Sequence, residues 1–279
     1  MKILLGIVTI VLLIVFLIAL GVKPWVTRKI EIALNENKSD YIVTIDKINI
    51  SIIPLGIGLE GIKICSKKDH SGIADINGET GSIKLIGINL VKAIFRKDIN
   101  IRKIVIFEST FKVNISSSRD TLIPIVLPMN IRIGNILFDK VNLSVKNSAN
   151  AASYSLTDGV LRLYDVHVEK QDTLSPEIIR QVDFEAKEVV SVSSDGMQTF
   201  QAGGITYSAN SNILAINSFY VQPNYPDYDF TSRYEFQKSR IEAGFSNIFI
   251  RDFSAADYFR SGNLISSNIE IGKMDMKAF

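Results

Sequence analysis

From Tyr41 onward the apolar residues recur with a period of two, and that period restricts the chain to β-strands. Val43 and Ile45 alternate, then Ile48, Ile50 and Ile52, then Leu55, Ile57 and Leu59, then Ile62 and Ile64. The phase slips at Asp46-Lys47, at Ile53-Pro54 and at Glu60-Gly61. A slip of one residue sends the following side chains to the other face, so each slip marks a turn or a bulge. Similar short runs follow: Ile99/Ile101, Ile104/Ile106, Phe111/Val113/Ile115, Ile131/Ile133, Val141/Leu143/Val145, Val182/Phe184, Leu214/Ile216 and Phe219/Val221. Polar clusters separate many of them, at Ser116–Thr121, Lys146–Ser153, Ser193–Gly196, Ser208–Asn212 and Gln222–Asp229. Short strands at close spacing between turn clusters predict a mainly β, antiparallel sheet with short helices.

The pattern repeats. A shift of 165 residues places Ile83/Leu85 on Ile248/Ile250 and Ile104/Ile106 on Ile269/Ile271. Ile88 falls on Phe253, Leu90 on Ala255, and Ala93-Ile94 on Tyr258-Phe259. Each copy reads as a strand, a turn, a short helical piece (Asn89–Arg96; Ser254–Arg260), a break, then two strand segments. The shared switch of period from two to about four and back predicts two copies of one supersecondary unit, near 83–113 and 248–278, of the kind that stacks lengthwise.

Ahead of the β body stand twenty residues without a charge, Ile3 to Val22. As a helix they measure roughly 30 Å, the thickness of a bilayer's hydrocarbon core. A cleaved signal has a shorter apolar stretch, about 7–15 residues, and a small-x-small exit. Here the only small exit is Ala19-Leu20-Gly21, with Pro24 and Trp25 close behind. An uncleaved signal anchor over 1–23 is therefore the expectation, with a cleaved signal as the alternative. Trp25 suits the headgroup level of a membrane interface. Lys2 precedes the run while Lys23, Arg28 and Lys29 follow it, so the flanking charges alone lean toward a cytoplasmic body. Val26, Ile30, Ala33 and Leu34 form the stripe of an amphipathic linker helix over 24–39. The body is then 40–279.

Composition narrows the function classes. The net charge of +2 gives no electrostatic case for a nucleic-acid partner. Mean hydropathy is +0.20, but the anchor's residues alone sum to about +65 on the usual scale. That exceeds the total of the whole chain, so the body averages near zero. Cys65 is the only cysteine, which excludes an intramolecular disulfide and a cysteine-based zinc site. It reads as a buried small hydrophobe. The two histidines, His70 and His167, have no metal-ligand spacing and read as structural.

The remaining motifs carry little chemistry. Gly56-Ile-Gly-Leu-Glu-Gly61 matches a dinucleotide-binding spacing, but Pro54 interrupts its lead-in and a strand-like run, Ile62-Lys-Ile64, follows where a helix is required. These glycines fit a strand that bulges or allows close approach. Asn-x-Ser triplets begin at Asn37, Asn49, Asn114 and Asn142, two of them inside strand patterns, and read as incidental. Lys67-Lys68 and Arg102-Lys103 read as solvated faces. Asp227 and Asp229 share a Tyr/Pro-rich loop without a partner for acid–base or calcium chemistry. No nucleophile–base set assembles, so an enzyme, a cofactor and a metal are not expected.

The stretch Asp40-Tyr-Ile-Val-Thr-Ile-Asp-Lys-Ile-Asn-Ile-Ser-Ile-Ile-Pro-Leu-Gly-Ile-Gly-Leu-Glu-Gly-Ile-Lys-Ile64, behind a single anchor, resembles the start of AsmA-like envelope proteins. Ile83 to Val113 looks like their next unit. Asp195-Gly-Met-Gln-Thr-Phe-Gln-Ala-Gly-Gly-Ile-Thr-Tyr-Ser208 and Leu214-Ala-Ile-Asn-Ser-Phe-Tyr-Val-Gln-Pro-Asn-Tyr225 resemble the large AsmA-like proteins of the Bacteroidota, which are usually longer. The resemblance implies a truncated member, with an inner-membrane anchor and a periplasmic sheet curled into an elongated groove. The family is similar to TamB and to chorein-type bridges, and is implicated in phospholipid movement and outer-membrane biogenesis. The expected partners are then the membrane and phospholipid acyl chains.

On this reading the repeated apolar pairs Ile83, Leu85, Ile104, Ile106, Ile248, Ile250, Ile269 and Ile271 line a lipid groove. The alternative for each is ordinary core beneath a second layer. A rival function is an envelope scaffold, or an assembly factor for outer-membrane proteins, acting by strand addition at a sheet edge. A secreted β-sandwich with a cleaved signal is the third.

Overall fold

The computed structural model describes residues 41–52, 54–67, 75–89, 98–115, 130–168, 181–234, 239–255, 257–258 and 262–278. The expected anchor (1–23, with Trp25 just beyond) and linker helix (24–39) lie outside the described residues, as does His70. Among the described residues no helix is long and apolar enough to cross a membrane.

Among the described residues, eleven strands form one sheet in which spatial order equals sequence order. They are β1 (Tyr41–Ile52), β2 (Leu55–Ser66), β3 (Asp75–Ile88), β4 (Asp98–Ile115), β5 (Asn130–Asn147), β6 (Ser153–Val168), β7 (Gln181–Val192), β8 (Gln198–Ser208), β9 (Ile213–Pro223), β10 (Ile241–Arg251) and β11 (Asn268–Ala278). A short helix, α1 (Asp227–Ser232), lies between β9 and β10. Among the described residues the sheet does not close: β1 and β11 are its two edges.

Three expectations need correcting. First, several short strand runs are single long strands. Ile99/Ile101, Ile104/Ile106 and Phe111/Val113/Ile115 all belong to the 18-residue β4. Second, the sheet is antiparallel at every junction but one: β4 and β5 run parallel, with Asp98 beside Asn130 and Ile115 beside Asn147. The chain therefore begins β5 at the end of β4 it has already left. Third, Cys65 is exposed. Beyond Gly61 the alternation places Ile62 and Ile64 on one face and Cys65 on the other, where its Sγ lies 3.9 Å from Asn77 Oδ1.

The repeat is real at the level of pairing. Ile83 faces Ile106 and Leu85 faces Ile104 across β3 and β4. Ile248 faces Ile271 and Ile250 faces Ile269 across β10 and β11. The 165-residue shift thus carries one hairpin onto the other in the same register. It also carries Gly87 onto Asp252, and both have left-handed backbones (φ +73° and +55°). The second copy contains the expected helical turn: Tyr258 N–H donates to the Ser254 carbonyl at 3.0 Å. Its counterpart beyond Asn89 lies outside the described residues.

Two of the phase slips, at Asp46-Lys47 and Glu60-Gly61, turn out to be one feature, while Pro54 lies in the turn between β1 and β2. Going across the sheet, the regular ladder is interrupted at Asp46 opposite Gly61, Gly81 opposite Glu108, Glu108 beside Lys140, Lys187 opposite Gly204, Asn217 opposite Asn247, and Asn247 opposite Gly272. Within this row Gly61, Glu108, Lys140, Asp158, Gly204 and Asn247 have φ between +49° and +64°. These residues sit on β2, β4, β5, β6, β8 and β10, so the left-handed residues recur on alternate strands except at β4–β6, where three neighbouring strands each carry one. The row steps sideways between β5 and β6, where the register shifts around Val141. It is a transverse crease, and glycine, asparagine and aspartate predominate where it needs left-handed backbone.

Candidate functional site: the apolar face

Directly paired residues project to the same face of a sheet. One row of pairs can be followed from edge to edge: Ile48, Leu59, Ile83, Ile106, Phe138, Leu161, Phe184, Tyr207, Leu214, Ile250 and Ile269. All eleven are apolar or aromatic. Leu85 and Ile104 stand two residues along from Ile83 and Ile106, and Ile248 and Ile271 two residues along from Ile250 and Ile269. All eight candidate groove residues therefore lie on one face, in neighbouring rows.

A further row on the same face runs through Val43, Ile64, Gly78, Phe111, Leu143, Leu156, Val189, Ala202, Phe219, Phe245 and Met274. The repeated pairs are only part of this surface. The rows between them, including Phe138, Leu161 and Phe184, carry the same alternation and belong to the same surface.

Burial on this face is uneven. The positions beside the crease are the most enclosed: Ile62, Thr80, Ser109, Ala186, Ile205 and Ile248 are all buried. Several are small, and the two polar ones satisfy each other, with Ser109 Oγ 3.2 Å from Thr80 Oγ1. Toward the last strand the face opens. On β11, Ile269 is 51 %, Ile271 47 %, Met274 59 % and Met276 57 % exposed.

One segment crosses onto the apolar face. Phe253 packs edge-on against Tyr207, with ring centroids 5.5 Å apart. The Tyr207 hydroxyl donates to the Phe253 carbonyl at 3.4 Å and accepts from the Ala255 N–H at 3.5 Å. Phe253, Ala255, Tyr207, Ile248 and Ile250 form a buried cluster, flanked by Phe184, Leu214 and Phe245. The turn after β10 thereby covers one end of the face. At the other end of these strands, α1 contributes the fully buried Phe230, whose ring stacks near Tyr234 at 5.5 Å. Tyr234 in turn donates to Asp195 of the β7–β8 turn at 2.8 Å. Asp227, one of the two loop aspartates, is held by Arg240 at 2.9 Å.

The opposite face is polar and self-neutralised. Lys140 pairs with Glu108 at 3.1 Å along the crease. Arg162 pairs with Glu185, whose hydrogen bond raises the guanidinium pKa. Tyr164 beside it is pushed up, first by burial and then by its hydrogen bond with Asp183. Arg251 grips Glu270 through two nitrogens, at 2.8 and 3.3 Å. That hydrogen bond, followed by the charge of Arg251, holds the Glu270 carboxyl below its usual range. A hollow of about 460 Å³ follows the crease on this side, edged by Lys63, Glu79, Glu108, Lys140 and Asp158. Its charges are of both signs, and among the described residues no cluster of ligands suits a metal ion.

The Gly56–Gly61 run lies inside β2, with no helix after it. A Cβ at Gly56 would come within 2.5 Å of the Leu85 carbonyl oxygen, so that glycine permits close backbone approach. Gly61 occupies the crease. No protein-family model and no curated protein matches this chain.

Proposed function

We propose that this chain is a membrane-anchored envelope protein that binds or transfers phospholipid along the apolar face of its sheet, with headgroups left in water and no covalent chemistry. The observation that carries the reading is the apolar face itself: it runs across all eleven strands of a single sheet whose edges remain apart. The alternation that builds this face is the pattern that resembles AsmA-like proteins. Shielding each acyl CH₂ is worth about 0.8 kcal/mol, so a face several residues deep offsets most of the cost of taking a lipid chain out of a bilayer. The uncharged run Ile3–Val22 supports an inner-membrane anchor, and the family resemblance supports a periplasmic body.

One feature supports a curled sheet with this face inside: the residues beside the crease are buried on the apolar side, and several of them, Thr80, Ser109 and Ala186, are small.

The test is phospholipid retained by the purified full chain, measured by mass spectrometry, for Ile104→Glu against Lys103→Glu. Loss of lipid with the first and retention with the second is expected. Equal retention by both would sink the reading. The exposed β11 favours a second reading, a scaffold or outer-membrane-protein assembly factor. Crosslinks to barrel-assembly proteins, with no bound lipid, would establish it.

A further inference from the structure

The edge strand β11 is exposed along its whole length, and no strand covers its outer side among the described residues. It is eleven residues long and alternates large apolar with charged side chains, without proline. Proteins usually blunt such an edge, because its unpaired N–H and C=O groups template another strand. At the other edge β1 is twelve residues long.

We infer that β11 of one molecule pairs with β1 of a second copy, so that the sheet continues from chain to chain. Strand direction allows it. In an eleven-stranded sheet that is antiparallel throughout, the first and last strands run the same way. Here the single parallel pair, β4–β5, makes β1 and β11 run oppositely. A second copy set beside the first in the same orientation therefore meets β11 with an antiparallel β1.

Register and charge fit as well. Setting Ile271 opposite the second copy's Ile48 also sets Ile269 opposite Ile50, Met274 opposite Ile45 and Met276 opposite Val43. Each isoleucine and methionine of β11 meets an isoleucine or valine on the same face, Ile42 alone meets a charged residue (Lys277), and the whole of β11 is covered. The crease passes from Gly272-Lys273 to Asp46-Lys47 without interruption, and Lys273 stands opposite Asp46. The competing arrangement, β11 against β11 about a two-fold axis, also matches the apolar positions, Ile271 to Met274. It sets Glu270 opposite Asp275 twice, and like charges directly opposite each other are destabilising. Because the two surfaces joined are different, the assembly is head-to-tail and open-ended. It would lengthen the apolar face by eleven strands per copy, and it stands whether or not that face carries lipid.

The test is disulfide trapping in the full chain, purified in detergent, carrying Thr44→Cys, Asp275→Cys and Cys65→Ser. These two positions are opposite in the proposed register, within the Cα separation a disulfide spans. Mild oxidation should give a reducible ladder of dimer, trimer and higher species. Adding Lys273→Asp should cut the ladder at least about fivefold, roughly 1 kcal/mol at 0.59 kcal/mol per e-fold. Three results would overturn the inference: no crosslink, a crosslinked monomer, or dimers that form instead with the Glu270→Cys/Asp275→Cys pair.

Discussion

Gly61 stands directly across from Asp46, with φ +64°, and the place its Cβ would occupy is filled by the Asp46 carboxylate. Both requirements, left-handed backbone and missing side chain, fall on one residue because the crease crosses β2 there. Gly61→Ala should therefore destabilise the fold by about 1–3 kcal/mol. Gly58→Ala, whose nearest neighbour across the strand is Asn49 Cβ at 3.7 Å, should cost much less. Urea unfolding of the full chain in detergent measures both.

Glu108 gives the opposite sign. It holds φ +54° without being glycine, a conformation costing about 1–2 kcal/mol. Its exposed ion pair with Lys140 returns at most about 1 kcal/mol. Glu108→Gly should leave stability unchanged or raise it by up to about 1 kcal/mol. A loss above that in the same unfolding experiment would show that the crease does not depend on backbone handedness.

The cluster at Phe253 should behave as a core. Phe253→Ala should cost about 3–5 kcal/mol, in the range for emptying a buried aromatic site. Tyr207→Phe, which removes only the hydroxyl contacts to Phe253 and Ala255, should cost about 1 kcal/mol. Hydrogen exchange should locate the loss in β8–β10.

Glu270 supplies a pH dependence. Its pKa is lowered in the folded state, so its bond to Arg251 favours folding above the usual glutamate range. That contribution fades as the pH falls from the unfolded value through the depressed folded one. Glu270→Gln should lie below the wild type in stability at neutral pH and converge with it in acid. High salt should shrink the gap, because the pair is exposed.

The apolar face was legible in the sequence because strand periodicity is a one-dimensional signal: Ile83/Leu85 and Ile104/Ile106 alternate whatever lies beside them. The 165-residue repeat survived into cross-strand register for the same reason. The crease was visible as phase slips at Asp46-Lys47 and Glu60-Gly61, but a left-handed residue and a hairpin turn interrupt the period alike. Only pairing across eleven strands separates them, which is why β4 read as three short runs. The parallel β4–β5 junction leaves no local mark, since direction depends on where the chain re-enters the sheet. Cys65 was misplaced because its face depends on the slip four residues earlier. The helix α1, at six residues, is too short to carry a helical period.

The central claim is that acyl chains lie on one face of the sheet. Photoreactive residues at Ile106 and Ile271, on the apolar face, and at Val105 and Phe249, on the other, test it in cells fed labelled phospholipid. The account predicts lipid adducts from Ile106 and Ile271 and none above background from Val105 and Phe249. Equal labelling of both faces, or labelling of neither, would contradict it.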